Sequence, residues 1–151
     1  MWQGKAQEAL SLVPDVDDPF VQVGRRLLLR QTGRIDELRD SWERTGSADP
    51  PDDWFAVFRL CEAAATASAL SSPSIGAAVY RRLAPYAGTV ASAGASGPLG
   101  PVDTYLALAA AAAGQSVTAS RHADDALVLC ERWGLPVCAQ AIRALRTSGA
   151  F

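Results

Sequence analysis

The chain has 151 residues, which suits one domain of ordinary size and is too short for two independent cores joined by a linker. Hydrophobic residues make up 49% of the chain and charged residues 20%, which excludes a disordered chain and a membrane protein. Sixteen acidic and fourteen basic residues give a net charge of −2, so we expect no direct nucleic-acid binding by this segment.

Helical periodicity recurs along the whole chain and predicts about eight helices and no strand. In the N-terminal part, a short first helix stops before Pro14. Asp18 is the predicted N-cap of the second helix, with Pro19 at its first position. Gly33 is expected to close this helix, and a third helix follows with Leu38 on its apolar side.

In the C-terminal part, a long helix is expected to open near Asp52, and Pro73 starts the next one, which runs to Gly88. Residues 88–102 are rich in glycine, alanine, serine and proline and are predicted to form a long irregular connector. The last three predicted helices end at Gly114, at Gly134 and near Thr147.

The predicted helices come in pairs with a glycine between the members. Gly33 and Gly114 are each followed, five positions later, by a predicted core residue, Leu38 or Ala119. Helix pairs of about 34 residues with small residues at contact points are the tetratricopeptide design. We therefore expect an all-α fold, with antiparallel helix pairs stacked as a tetratricopeptide-like superhelix in a single domain over residues 1–151. A closed helical bundle is the alternative.

The first and last predicted helices lack the polar capping repeats that such stacks need. We therefore expect the chain to be a segment of a larger protein, or to cover its end helices by forming a homodimer.

One run of residues carries a resemblance to a known family. Its members are Leu83, Pro85, Tyr86, Gly88, Leu99, Gly100, Pro101, Val102, Asp103, Tyr105 and His122. Their order resembles the tetratricopeptide-like helical region of large actinobacterial regulators. These are the LuxR-type ATPase regulators and relatives with a bacterial transcriptional activator domain or a cyclase domain. The resemblance covers residues 75–146 and implies a signal-integration or scaffold role in transcription control. The chain has no G-x-x-x-x-G-K-[S/T] motif, so nucleotide hydrolysis is not carried over.

The side chains that usually perform catalysis or bind metals are few. Three cysteines, an odd number without C-x-x-C spacing, are expected to be reduced and packed in a cytoplasmic protein. His122 is the only histidine, so the sequence predicts no metal site. A general base would need a nucleophile and an orienting partner. We therefore interpret His122 as a structural residue, and expect no enzyme activity and no cofactor.

Six residues are candidates for contacts with a partner, on the surface that the first helices of the pairs would line. They are Arg26, Arg30, Arg59, Glu62, Thr104 and Leu108. The sequence thus predicts a non-enzymatic module that binds protein or peptide segments, or other domains of a parent transcription regulator. The alternative is a domain that senses a small apolar metabolite in space left by the alanines at 107–113. The longest apolar run, Tyr105 to Ala113, is too short to cross a bilayer, so no membrane contact is expected.

Overall fold

The structure, a computed structural model, describes residues 5–92 and 98–151. Within these residues it contains eight α-helices, one turn of 3₁₀ helix and two short strands. The helices are α1 (Ala6–Leu12), α2 (Pro19–Gln31), α3 (Ile35–Thr45), α4 (Ala56–Ala69), α5 (Pro73–Leu83), α6 (Val102–Ala112), α7 (Ser116–Trp133) and α8 (Pro136–Thr147). The 3₁₀ turn is Ala84–Tyr86, and the strands are β1 (Val90–Ser92) and β2 (Pro98–Pro101). The predicted all-α fold is confirmed, and the tetratricopeptide-like arrangement of the helices stays a prediction.

The chain divides into two compact units, Met1–Ser47 and Ala48–Phe151. The first unit contains α1, α2 and α3, and the second contains α4 to α8 with the two strands.

In the first unit, α2 packs against both α1 and α3. The Asp18 carboxylate accepts hydrogen bonds from the backbone N–H groups of Phe20 and Val21, which confirms the predicted N-cap. Gly33 has a φ of +69° and follows the helix, which confirms the predicted glycine stop. The core of the unit consists of the buried side chains of Leu10, Val23, Leu29 and Leu38.

In the second unit, α4 packs against α5, and α6 packs against both of them. Helix α7 then packs against α6, and α8 packs against α7. The glycine stop predicted at Gly114 is confirmed, since it follows α6 with a φ of +77°. Buried alanines dominate the core of this unit, namely Ala56, Ala63, Ala64, Ala67, Ala107, Ala109, Ala110, Ala119, Ala123 and Ala126. Their small side chains let the helices approach closely, so the apolar surface is buried by direct contact between the helices.

Helices α5 and α6 are in close contact at Gly76. A Cβ atom added to this glycine would lie 2.7 Å from the carbonyl oxygen of Ala109 and 2.9 Å from the Cβ of Ala112. Both distances are shorter than van der Waals contact, and the carbonyl belongs to a helical backbone that cannot rotate away. Gly76 is therefore required by the packing of α5 on α6.

The described parts of the predicted connector, residues 88–92 and 98–102, contain more regular structure than the sequence predicted. Strands β1 and β2 form an antiparallel pair in which Val90 faces Pro101 and Ala91 faces Gly100. The expectation of no strand is therefore wrong for these two segments. Alternating apolar and polar residues are absent from so short a pair, so periodicity could not have indicated it. Residues 93–97, in the middle of the predicted connector, lie outside the described residues.

None of the helices that the structure describes combines the length and the apolar character needed to cross a membrane.

Two glycine substitutions test the helix packing. We expect Gly76→Ala to lower the free energy of unfolding by about 1–3 kcal/mol, because the new methyl group overpacks the contact with α6. Gly24, on the exposed side of α2, has no heavy atom within 4 Å of the corresponding position. Gly24→Ala should therefore stabilise the protein by about 0.5–1 kcal/mol, because alanine is the better helix former. Urea denaturation measures both changes, and equal effects would contradict the packing described for Gly76.

Candidate functional site

A buried carboxylate connects three parts of the second unit. Asp103 lies in the first turn of α6, after Pro101 and Val102, and the residue is only 2% exposed. One carboxylate oxygen, Oδ2, accepts a hydrogen bond of 2.6 Å from the backbone N–H of Gly88. The other, Oδ1, lies 2.8 Å from Nδ1 of His122 in α7. The carboxylate thus joins α6 to α7 and to the turn that follows the 3₁₀ segment.

The local sequence of α7 brings His122 to this position. The neighbouring inward residues Ala119, Ala123 and Ala126 are small, so α7 comes close enough to α6 for the imidazole to reach Asp103. His122 is only 6% exposed. Its other ring nitrogen, Nε2, lies 3.0 Å from the hydroxyl of Tyr80 in α5.

The hydrogen bonds of the cluster are satisfied within the chain. A neutral imidazole fits both contacts when Nδ1 donates to the Asp103 carboxylate and Nε2 accepts from the Tyr80 hydroxyl. The two oxygens of Asp103 and the two nitrogens of His122 then each have a partner. We call this arrangement the polar clamp, because its hydrogen bonds join α5, α6, α7 and the turn at Gly88.

A groove of about 570 Å³ lies beside the clamp, between the end of α5 and the side of α7. Its lining residues are Tyr80, Ala84, Ala87, Gly88, Asp103, Arg121, His122, Asp125, Val128 and Leu129. Val128 is 62% exposed, and Arg121 and Asp125 are exposed on the same helix. Within the part of the chain that the structure describes, Arg121 and Asp125 form no ion pair. The groove therefore combines a small apolar surface with two unpaired opposite charges.

The groove also contains one set of side chains that could ligate a metal ion. It consists of Asp103, His122 and Asp125, whose ligand atoms, one from each residue, all lie within 4.8 Å of one another. Sequence spacing could not indicate this set, because Asp103 and His122 are 19 positions apart and meet only when α6 packs on α7.

The cysteine thiols in the described residues are all free. Burial raises the pKa of Cys61, and burial together with the nearby Cys138 raises the pKa of Cys130. Both thiols are therefore held in the protonated form, which is a poor nucleophile. The expectation that the cysteines are packed is confirmed for these two, and the expectation that they are reduced stays a prediction.

The six predicted partner contacts do not form one exposed surface. Three of them, Arg26, Glu62 and Leu108, are buried, which corrects the expectation that they lie on an accessible face. The Arg26 guanidinium donates to the Thr45 hydroxyl and lies over the Trp42 ring in the first unit. Through these two contacts the Arg26 side chain packs α2 against α3.

The polar side of α4 was expected to face a partner, and the structure directs much of it inward. Glu62 accepts a hydrogen bond of 2.6 Å from the Thr66 hydroxyl, and both side chains are buried. Arg59 is half-buried and pairs with Asp53 at 2.8 Å. Periodicity could not reveal the burial of these side chains, because a buried hydrogen-bonded pair has the same residue types as a solvent-exposed helix face.

The remaining two candidates are partly accessible. Arg30 is half-buried in α2, and Thr104 is half-buried in α6, one turn before the buried Leu108. The residues that line the groove, above all Arg121 and Asp125, were not among the candidates.

No protein-family model, no curated protein and no solved structure matches the chain. The resemblance to actinobacterial regulators therefore rests on the residue run alone, and the structure gives part of that run a physical role. Gly88, Asp103 and His122 are the three positions that the clamp joins, and Leu83 and Val102 are buried beside them. These residues are explained by the packing of the helices.

The clamp can be tested by removing its carboxylate. We expect Asp103→Ala to lower the free energy of unfolding by about 2–4 kcal/mol, because the Gly88 N–H and His122 lose a charged partner inside the protein. Asp124→Ala is the matched control, since Asp124 is exposed and pairs with Arg146 on the surface. Such a surface pair contributes less than about 1 kcal/mol. Urea denaturation measures the free energy of unfolding of both variants. Similar decreases in the two variants would contradict a buried clamp.

Proposed function

We propose that this chain is a non-enzymatic interaction module of a cytoplasmic transcription regulator, and that it binds a protein segment in the groove between α5 and α7. The segment belongs to a partner protein or to another domain of the parent regulator. The observation that carries the proposal is the composition of the groove, where exposed Val128 lies beside the unpaired charges of Arg121 and Asp125.

The charges specify the chemistry of the occupant. Arg121 and Asp125 are one helical turn apart on the same wall of the groove. A segment that complements them carries an acidic and a basic side chain at a similar separation. Between these charges and the 3₁₀ turn, Ala84, Ala87 and Val128 offer room for a small apolar side chain. Charge complementarity of this kind gives register and specificity more than raw affinity.

A role without catalysis is supported by the state of the polar cluster. His122 and Asp103 use their side-chain nitrogens and oxygens to hold helices together, as described above. General acid–base catalysis would need one of these atoms to face a substrate and exchange a proton with it.

The assignment to transcription control comes from the resemblance. Since Gly88, Asp103 and His122 belong both to the resembling run and to the clamp, the resemblance supports a shared helical architecture in this part of the chain. Binding of other regulator domains is what that architecture would serve.

The metabolite-sensing alternative has less support. Of the alanines at 107–113 that were expected to leave space for a guest, Ala107, Ala109 and Ala110 are fully buried by neighbouring helices. A homodimer through the end helices stays a prediction, and a second copy of the chain is one of the occupants that the following experiment would identify.

The proposal is tested by placing a photo-crosslinking amino acid, p-benzoylphenylalanine, at position 128 and irradiating the protein in host cells. Position 117 on the same helix is the control, since Val117 is more exposed and lies outside the groove. Mass spectrometry of the adducts gives the sequence of the captured segment. The expected result is one segment that reacts at position 128 and is absent at position 117.

The captured segment is then synthesised, and its affinity is measured by fluorescence anisotropy. We expect Arg121→Glu to weaken binding at least about tenfold, because it places two acidic groups together. Arg132→Glu makes the same charge change elsewhere on α7 and should leave the affinity unchanged. Equal affinities for both variants, or equal capture at positions 117 and 128, would contradict the proposed groove.

A further inference from the structure

The floor of the groove has the composition of a metal site. We propose that His122, Asp103 and Asp125 bind a divalent first-row transition metal ion, such as Zn²⁺, Co²⁺ or Ni²⁺, at the open side of the clamp. The metal site shares Asp125 with the groove proposed above, but its test does not require the protein segment.

The ligand atoms are close enough for one ion. Nδ1 of His122 and Oδ1 of Asp103 are 2.8 Å apart, and a carboxylate oxygen of Asp125 completes a set within 4.8 Å. Metal–nitrogen and metal–oxygen bonds in such sites are about 2.0–2.2 Å long, so atoms at these separations can share an ion after small side-chain movements. The two carboxylates together balance the charge of a divalent cation.

Two of the three ligands already have outer partners. Gly88 N–H holds the second oxygen of Asp103, and the Tyr80 hydroxyl contacts Nε2 of His122. Ligating histidines and carboxylates need such partners to fix their orientation. Metal-free protein keeps the same two side chains in place through the Asp103–His122 hydrogen bond, so the site is largely preformed.

The ion would replace the proton between His122 and Asp103. Nδ1 must then be unprotonated. Nε2 carries the ring proton, and the Nε2–H group donates a hydrogen bond to the Tyr80 oxygen. A tyrosine hydroxyl both donates and accepts, so it serves either form of the imidazole. The three side chains line the groove, so water or a ligand side chain in the groove could complete the coordination of the ion.

The donor set selects the class of metal. Imidazole nitrogen favours first-row transition metals, whereas Mg²⁺ and Ca²⁺ prefer all-oxygen sites with more ligands. Arg121 lines the same groove, and its positive charge opposes any cation. Removing that charge should therefore strengthen metal binding, although the same change should weaken binding of the proposed segment.

Isothermal titration calorimetry on the full chain, reduced and free of added chelator, tests the site with Zn²⁺, Ni²⁺ and Mg²⁺. We expect one transition-metal ion per chain and at least tenfold weaker binding of Mg²⁺. Asp125→Asn should weaken Zn²⁺ binding at least tenfold, and Asp125 is exposed, so its substitution leaves the fold intact. The matched control is Asp124→Asn, because Asp124 is the neighbouring residue and does not line the groove. This variant should bind Zn²⁺ as tightly as the unsubstituted chain does.

A second pair of variants separates ligation from folding. His122→Gln, checked for native helix content by circular dichroism, should lose the site, and Arg121→Ala should bind Zn²⁺ more tightly. Absence of Zn²⁺ binding to the unsubstituted chain would overturn the proposal, as would equal affinities of the Asp125 and Asp124 variants. Binding that survives Asp125→Asn and disappears with Cys138→Ser would assign the ion to the thiols and would also overturn it. None of these outcomes depends on capture of a protein segment at position 128.

Discussion

The second unit depends on the hydrogen bonds that the Asp103 carboxylate forms. This carboxylate is buried in the first turn of α6. One of its oxygens accepts a hydrogen bond from the Gly88 N–H, and the other is hydrogen-bonded to His122 of α7. A buried carboxylate is stable only when such partners replace its lost water. The clamp therefore fixes the end of the α5 segment, the start of α6 and the middle of α7 relative to one another. The walls of the groove are those same three elements, so its shape follows from the clamp.

Small residues make this arrangement possible. Alanines along α6 and α7, and Gly76 in α5, let the helix backbones come close enough for short polar side chains to meet across the contacts. Larger residues at these positions would separate α6 from α7 and move His122 out of reach of Asp103. The high alanine content, 29 residues, thus has a direct consequence for the polar chemistry of the unit. Apolar packing sets the distance, and hydrogen bonds then select one register of the helices.

The sequence predicted what depends on local signals. The Asp18 cap, the stops at Gly33 and Gly114 and the helical class follow from short-range rules, and the structure confirms them. Contacts between distant segments gave no such signal. Asp103 and His122 are 19 positions apart, and Glu62 reads as a surface residue until its Thr66 partner and its burial are known. Arg121 and Asp125 were overlooked for the same reason, because the opposite wall of their groove comes from α5 and the 3₁₀ turn.

Amide hydrogen exchange at Gly88, followed by NMR, tests the clamp most directly. Gly88 itself is exposed in a turn, so its amide would exchange at nearly the rate of an unstructured peptide if nothing held it. The account predicts strong protection, since the N–H donates to the buried Asp103 carboxylate at 2.6 Å, and loss of that protection in Asp103→Ala, which has no side-chain acceptor. Fast exchange of the Gly88 amide in the unsubstituted chain would contradict the account.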